Sequence, residues 1–475
     1  MTSDVRRASH MAFKQPAAPR SAALALLASA QLMLVLDVTV VNVALPDIGA
    51  ALHLSQGVVP WVMTAYTVFF GGLMLLGGRI ADLVGARRLT LLGLALFIAS
   101  SLVCALSGGA AVLLVGRALQ GVGAALMSPA ALATVMTLYT GPSRGKALGV
   151  WSALAGAGSA LGVVLGGVLT SEAGWRWVFA INVPIGIALL IAIPLVVPVR
   201  RQPEAATRPG LDVPGAVLVT AGTGAAIYGL VNVGGHGWSA VSTVLPLVLA
   251  VVILAAFSVV ERHTKQPLLT VGLLGRRAVL AGSFLMLAAT GLLVGGYFLG
   301  SFSLQRAHGY SALHVGLVFL PAAVATVAGA AGGSRILTFV SARVVAAAGL
   351  ALAAVGYAIA ARWSQPALLV TGLSIAALGI GATFVTAFTA SLADADPAEG
   401  GLRSALVNTF HELGGAAGVA VLASAAGAGL VTAQLASGNI GHAFTIGAIT
   451  AAVAVVIAAV VVPAVLRKPA DSPAH

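Results

Sequence analysis

The stretch GGRIADLVGARR, Gly77 to Arg88, is a short charged island between two long apolar runs. Its charges, Arg79, Asp82, Arg87 and Arg88, cannot sit in hydrocarbon, while Gly77, Gly78 and Gly85 allow the backbone to turn sharply. The stretch reads as a tight loop that faces water and joins two membrane helices. Taken alone, it could also be a basic loop that merely sets topology.

Composition supports the membrane reading. Of 475 residues, 59% are hydrophobic and 8% charged, about a third of the ~25% charged share of a soluble domain. The net charge of +12 does not point to nucleic acid, because the basic residues stand singly or in pairs at the ends of apolar runs, where they orient helices in a bilayer. Cys104 is the only cysteine and lies inside an apolar run, so there is no disulfide framework and no cysteine metal site. The polar, basic start of the chain reads as a retained cytoplasmic tail, since the apolar segment after it runs on past signal-peptide length.

A span takes roughly 20 mostly apolar residues, and fourteen are expected. They fall near 21–44, 58–78, 89–106, 111–138, 148–170 and 177–198, then 213–233 and 241–260, then 278–304, 312–333, 344–361, 366–390, 404–430 and 439–466. The expected organisation is a tail at 1–20, a six-helix bundle at 21–198, an inserted helix pair with flanking loops at 199–277, a second six-helix bundle at 278–466, and a tail at 467–475. With the N-terminus inside, 21 of 25 Lys and Arg lie on the inner side; Arg176, Arg306 and Arg362 lie outside, and Arg117 lies within a span. This bias places both termini in the cytoplasm.

An internal repeat sharpens the layout. An offset of 256 residues sets Arg79, Arg87 and Gly93 over Arg335, Arg343 and Gly349, and Gly158 and Gly162 over Gly414 and Gly418. A shift of 258 pairs Gly121 and Gly123 with Gly379 and Gly381. Parallel repeats with a substrate site at their interface are a transporter architecture.

Few ionisable groups are expected inside the membrane, where each costs about 2.5 to 3.5 kcal/mol on the insertion scale. Asp37 and Arg117 are expected at matching depth, each about seven residues from the outer end of its span. They could form a static pair, or compete with a proton that decides whether the pair exists. Glu412, with Asn408 one turn before it and His411 beside it, is expected about eight residues from the inner end of its span. The repeat partners of the acids carry no charge: Leu293 for Asp37, Thr338 for Asp82, Gly156 for Glu412. Function accounts for such asymmetry, although Glu412 could instead snorkel to water.

Gly78, Asp82, Gly85, Arg87 and Arg88 match the G-x-x-x-D-x-x-G-x-[RK]-[RK] signature between spans two and three of the major facilitator superfamily, which the chain resembles from about Leu24 to Leu466. Arg117, Gln120, Gly121 and Gly123 resemble its span-four motif. Gly158, Gly162, Gly166 and Gly167 resemble the span-five antiporter motif, whose small residues allow close helix packing. Trp175, Trp177, Phe179, Asn182, Pro184 and Gly186, together with Asp37, Thr39, Asn42 and Pro46, look like the fourteen-span drug:proton antiporter family. Two positions depart from it: Val163 replaces a usual proline, and His411 and Glu412 replace a usual Arg-Gln pair.

The resemblance implies an all-α membrane protein with the major facilitator fold and a proton-coupled exporter of amphipathic drugs, antibiotics or other lipophilic compounds. It implies proton coupling by Asp37, Glu412 and Arg117, with a switch at Asp82 near Arg403 and Ser404. Asn42, Gln120, Asn408 and His411 are further candidates for substrate or coupling contacts. The expected partners are a small lipophilic substrate, protons and the bilayer, for a protein acting as a monomer. No cofactor, metal or enzymatic activity is expected; phosphate-binding loops are absent, and His411 has no sequence-local nucleophile to serve. A facilitator-type exporter of a metabolite or lipid is the alternative, followed by a membrane sensor. The layout is checked by cysteine labelling from outside: position 236 should react and position 208 should not, and the reverse result would overturn the fourteen-span arrangement.

Overall fold

The computed structural model describes residues 20–463 except 55–57, 60, 140–142, 144–146, 148–149, 152–153, 155–157, 159–160, 163, 199–211, 265–266, 268–270, 393–399 and 427–436. Both expected tails beyond these limits, all of residues 199–211 at the start of the inserted segment and Val163 lie outside the described residues, as does the side chain of Asp82.

Thirteen helices among the described residues are long and apolar enough to cross a membrane. In chain order they are α1 (Arg20–Ala51), α2 (Trp61–Val84), α3 (Ala86–Ala105), α4 (Ala110–Leu138), α6 (Arg176–Val196), α7 (Val213–His236), α8 (Val241–His263), α9 (Arg277–Phe302), α10 (Leu313–Ile336), α11 (Ala342–Ala360), α12 (Pro366–Leu392), α13 (Gly400–Ala426) and α14 (Ser437–Val461). A shorter apolar helix, α5 (Val164–Ala173), ends the fifth predicted span, and the described residues before it, from 143 to 162, are all helical.

Contacts between helix ends fix the up-and-down path. Arg117 near the start of α4 donates to the Val62 carbonyl at the start of α2, 2.8 Å. At the opposite face, Arg87 at the start of α3 donates to the Pro194 carbonyl near the end of α6, 2.8 Å. That carbonyl needs a side-chain donor because Pro198, four residues on, has no N–H. We call the face where α1 begins the near face and the other the far face.

The predicted tight loop is corrected. α2 continues through Gly77, Gly78 and Asp82 to Val84, and the turn rests on Gly85 alone, whose φ of 99° suits a residue without a Cβ. Gly77 serves packing instead: a Cβ there would run into the Ala125 carbonyl of α4. α1 also outruns its predicted end, passing through Pro46 to Ala51.

The repeat is a structural one, with a single register. A Cβ on Gly93 of α3 would lie 2.6 Å from the Gly123 carbonyl of α4, and a Cβ on Gly349 of α11 would lie 2.6 Å from the Gly379 carbonyl of α12. Both residues of one pair are 256 positions from those of the other, so the local shift of 258 is not the structural correspondence. Arg343, the counterpart of Arg87, repeats its role by donating to the Val462 carbonyl at the end of α14, 2.8 Å.

The two halves meet near both faces. On the near side, Ala405 and Leu406 of α13 join the apolar cluster of Leu27, Met74, Leu132 and Trp151. Toward the far side, Val43 of α1 joins the cluster of Tyr297 and Phe319. In the inserted pair, α7 packs on both α2 and α13, with the Thr220 hydroxyl donating to the Gly72 carbonyl, 2.9 Å. α8 packs on α7 and turns Val241, Leu245 and Val251 outward. Gly93→Ala should force two backbones apart and cost about 1 to 3 kcal/mol. Gly332→Ala, in a helix with nothing within 4 Å of the new atom, should be neutral or stabilising by up to ~1 kcal/mol. Thermal unfolding in detergent compares the two, and equal shifts would contradict this account.

Candidate functional site

Five helices converge on Asp37. The residue is 1% exposed, and its Oδ2 forms an ion pair with Nη1 of Arg117, itself 1% exposed. Its Oδ1 accepts from Asn182 Nδ2 of α6 at 2.9 Å and from Gln120 Nε2 of α4 at 3.2 Å. Gln120 also donates to the Ser101 hydroxyl of α3, 2.7 Å, while its Oε1 accepts from Arg117, 2.8 Å. Beneath the guanidinium of Arg117 lies the Tyr66 ring of α2, 4.6 Å to its centroid, and the Phe179 ring is 5.8 Å away. Gly121 makes this approach possible, since a Cβ there would meet the Tyr66 carbonyl.

The pair at matching depth is therefore formed, but deeper in α1 than expected. Asp37 stands fourteen residues before Ala51, roughly 21 Å at the helical rise. The first span was expected to end near residue 44, whereas α1 passes through Pro46 to Ala51. Asn182 was legible only as part of a motif, because its role depends on a helix distant in sequence.

The second cluster is on α13. Glu412 lies twelve residues beyond Gly400, roughly 18 Å along the helix, so it is deeper than the expected eight residues. It backs onto Gly71 of α2, where a Cβ would stand 3.0 Å from the Glu412 Cβ. Glu412 makes no ion pair among the described residues. His411 Nδ1 is 2.9 Å from the Thr290 hydroxyl of α9, and its ring lies 5.9 Å from that of Phe384. Asn408 is half-buried one turn before Glu412. Asn42 lines a small cavity between the halves with Thr39, Val43, Tyr297, Ser301 and Phe319.

The remaining motif residues divide. Gly158, Gly162 and Gly166 all face α1: added Cβ atoms would meet Val35, Thr39 and the Val40 backbone in turn. Gly167 is buried beside them. In the charged motif Gly78 is helical, Gly85 makes the turn, Arg87 grips α6 and Arg88 is exposed. Arg403 is buried and donates to the Ser391 carbonyl, 2.9 Å. Among the described residues no group of three or more His, Cys, Asp or Glu could hold a metal.

The repeat supplies an apolar control for the ion pair, because Leu293 and Leu373 stand at the positions of Asp37 and Arg117 and are buried. Asp37→Leu alone should strand a buried cation and cost about 3 to 5 kcal/mol. Adding Arg117→Leu should restore parental stability or exceed it. Thermal unfolding of the single and double variants checks this, and a double variant less stable than the single one would refute it.

The sequence profile of the Major Facilitator Superfamily matches residues 27–419. The chain is 39% identical over 408 residues to the puromycin resistance protein pur8 of Streptomyces alboniger, covering 84% of this chain and 80% of that one. It is 37% identical over 488 aligned positions to the cephamycin export protein CmcT of Amycolatopsis lactamdurans, covering 98% and 97%. The crystal structure of the human organic anion transporter MFSD10 (TETRAN) shares the fold with a TM-score of 0.60 at 17% identity, over 91% of this chain and 99% of that one. The chain is a multi-pass membrane protein and belongs to the Major Facilitator Superfamily.

Proposed function

We propose that this protein is a proton-driven exporter of amphipathic antibiotics or other lipophilic compounds, working as a monomer in the cell membrane with both termini in the cytoplasm. The observation that carries the reading is the buried pair of Asp37 and Arg117. Similarity to a puromycin resistance protein and a cephamycin export protein supports the substrate class, and the distribution of Lys and Arg supports the orientation.

The donor set around Asp37 suits a carboxylate. Arg117, Gln120 and Asn182 all present N–H groups, so a neutral Asp37 would bring an O–H that meets donors rather than acceptors. Proton uptake must then release Arg117 and turn an amide or shift α1. Arg117 keeps a place without Asp37, through the Val62 carbonyl, the Gln120 oxygen and the Tyr66 ring. Protonation thus exchanges one bound state of Asp37 for another while the cation stays lodged. In this reading the two six-helix bundles rock about their interface, Glu412 is the second proton site, and Asp82 latches the near side against the start of α13, where helix-end N–H groups favour an anion.

Charge arithmetic gives Glu412 its task. A proton entering down one pH unit and ~100 mV brings roughly 1.4 plus 2.3 kcal/mol, whereas a monovalent cation leaving costs about 2.3 kcal/mol. One-for-one exchange of a cation is electroneutral, so exporting cations well needs a second proton. Proteoliposomes with an imposed pH gradient and a panel that includes puromycin and a fluorescent lipophilic cation test the reading. Asp37→Asn should abolish proton-coupled transport in protein that still inserts. Glu412→Gln should impair cationic compounds more than neutral ones and weaken voltage dependence; equal losses would remove Glu412 from proton transport.

A further inference from the structure

α10 is interrupted at Phe319. Ala312–Val318 and Leu320–Ile336 are separate helical stretches joined there, and Pro321 accounts for the joint, because it has no N–H to offer the Leu317 carbonyl. The repeat shows what the fold itself requires at this place. At the offset of 256, Phe319 falls on Met63 and Pro321 on Ala65 of α2, and α2 runs from Trp61 to Val84 without a break. The proline is an addition of the second half alone.

The short outer stretch sits where the halves meet on the far side. Ala312–Val318 is closed at its start by its own cap, with the Ser311 hydroxyl oxygen accepting from the His314 N–H at 3.2 Å. It packs on α1 and on the end of the fifth span, both in the first half. The helix ends that flank it, Leu169–Ala173 and Ser303–Ala307, are wound as π turns, a form that recurs at functional sites.

Phe319 also lines the cavity between the halves, about 20 Å³ in volume, which is room for one water. Its ring stacks on that of Tyr297, 5.3 Å between centroids. Asn42 and Ser301 bring polar groups to the same space. Ser301 accepts from Gln305 at 2.9 Å, which leaves its O–H to donate, and Asn42 brings an amide with two donors and an acceptor. Such groups gain hydrogen bonds when water enters, so the seam parts at lower cost here than across a wholly apolar contact.

We propose that Ala312–Val318 is the far-side gate of the transport path, turning about Phe319 to admit water to Asn42 and Ser301 and to let the exported compound leave. This rests on the reading of the protein as an exporter and adds a local hinge in one helix to the rocking of two bundles.

The test needs neither a transported compound nor a proton gradient. The full chain carrying Ser301→Cys is reconstituted in vesicles, and a small membrane-impermeant methanethiosulfonate is added at the far face; the chain with Cys104 alone, which is buried, gives the background. Pro321→Ala places in α10 the residue that α2 has and restores one backbone hydrogen bond across the joint. It should fold at least as well as the parent and slow labelling about fivefold, the weight of that bond. Phe319→Ala removes the ring at the joint and should speed labelling roughly tenfold. Labelling at the parental rate in Pro321→Ala overturns the gate. So does an equal slowing of Ala405→Cys labelled from the near face, since that would assign Pro321 to the packing of the whole protein. If Asp37→Asn leaves proton-coupled transport intact, the proton reading falls and the gate stands.

Discussion

Lipid tails are as apolar as leucine, so burial alone cannot hold one membrane helix against another; close packing must do so. In this chain the contact is made by backbone on backbone at glycine. Gly93 with Gly123 joins α3 to α4, Gly349 with Gly379 joins α11 to α12, and Gly418 with Gly291 joins α13 to α9. In the fifth span Gly158 and Gly162 make room for the side chains of Val35 and Thr39 of α1, and Gly166 lies against the Val40 backbone. Each contact trades a side chain for proximity, and proximity lets the few polar groups of the interior reach partners on other helices. Arg117 touches α1 and α2 only because Gly121 admits the Tyr66 backbone.

The duplicated half and the unduplicated charge then separate scaffold from chemistry. Both halves keep the glycine contacts and the arginine that satisfies a carbonyl at the end of the sixth helix, as Arg87 and Arg343 do. At the level of Asp37, Arg117 and Gln120, however, the second half has Leu293, Leu373 and Ala376, all buried. An apolar filling at these positions is compatible with the fold, which makes the charged one a departure that stability does not require. Buried ion pairs are weak stabilisers in any case, since desolvation offsets their attraction.

Much of this was legible in the chain before its structure was considered. Span positions followed from apolar run length, and the repeat followed from matched arginines and glycines. Depth did not follow, because it depends on where helices end. Pro46 sits inside α1, and Gly77 and Gly78 sit inside α2, although proline and glycine usually signal ends and turns. Without water to take up freed backbone groups, the helix itself and its neighbours must satisfy them, so these residues punctuate a membrane helix less than a soluble one. Partners distant in sequence were equally hidden. Asn182 and Tyr66 are brought to Asp37 and Arg117 by packing between helices, and no local spacing announces either.

What connects the two polar clusters is a single helix. α2 lays Tyr66 beneath Arg117, backs Gly71 onto Glu412 and offers the Gly72 carbonyl to Thr220 of the inserted pair. Consecutive glycines at 71 and 72 let α13 and α7 approach neighbouring positions, so a bulkier residue at either would push apart a junction of three helices. The same helix runs on without a break into the charged motif and stops only at Gly85. A rigid element that touches both carboxylates' surroundings and ends in that motif needs no chain of side chains to connect them. In the proposed cycle, a change of protonation at either acid alters the packing of α2, and a tilt of α2 moves Asp82 relative to the start of α13. The inserted pair bears on that motion as well, because α7 is seated on α2 and α13 at once. Among the described residues, the inserted pair therefore adds to the seam between the halves rather than to outer surface alone.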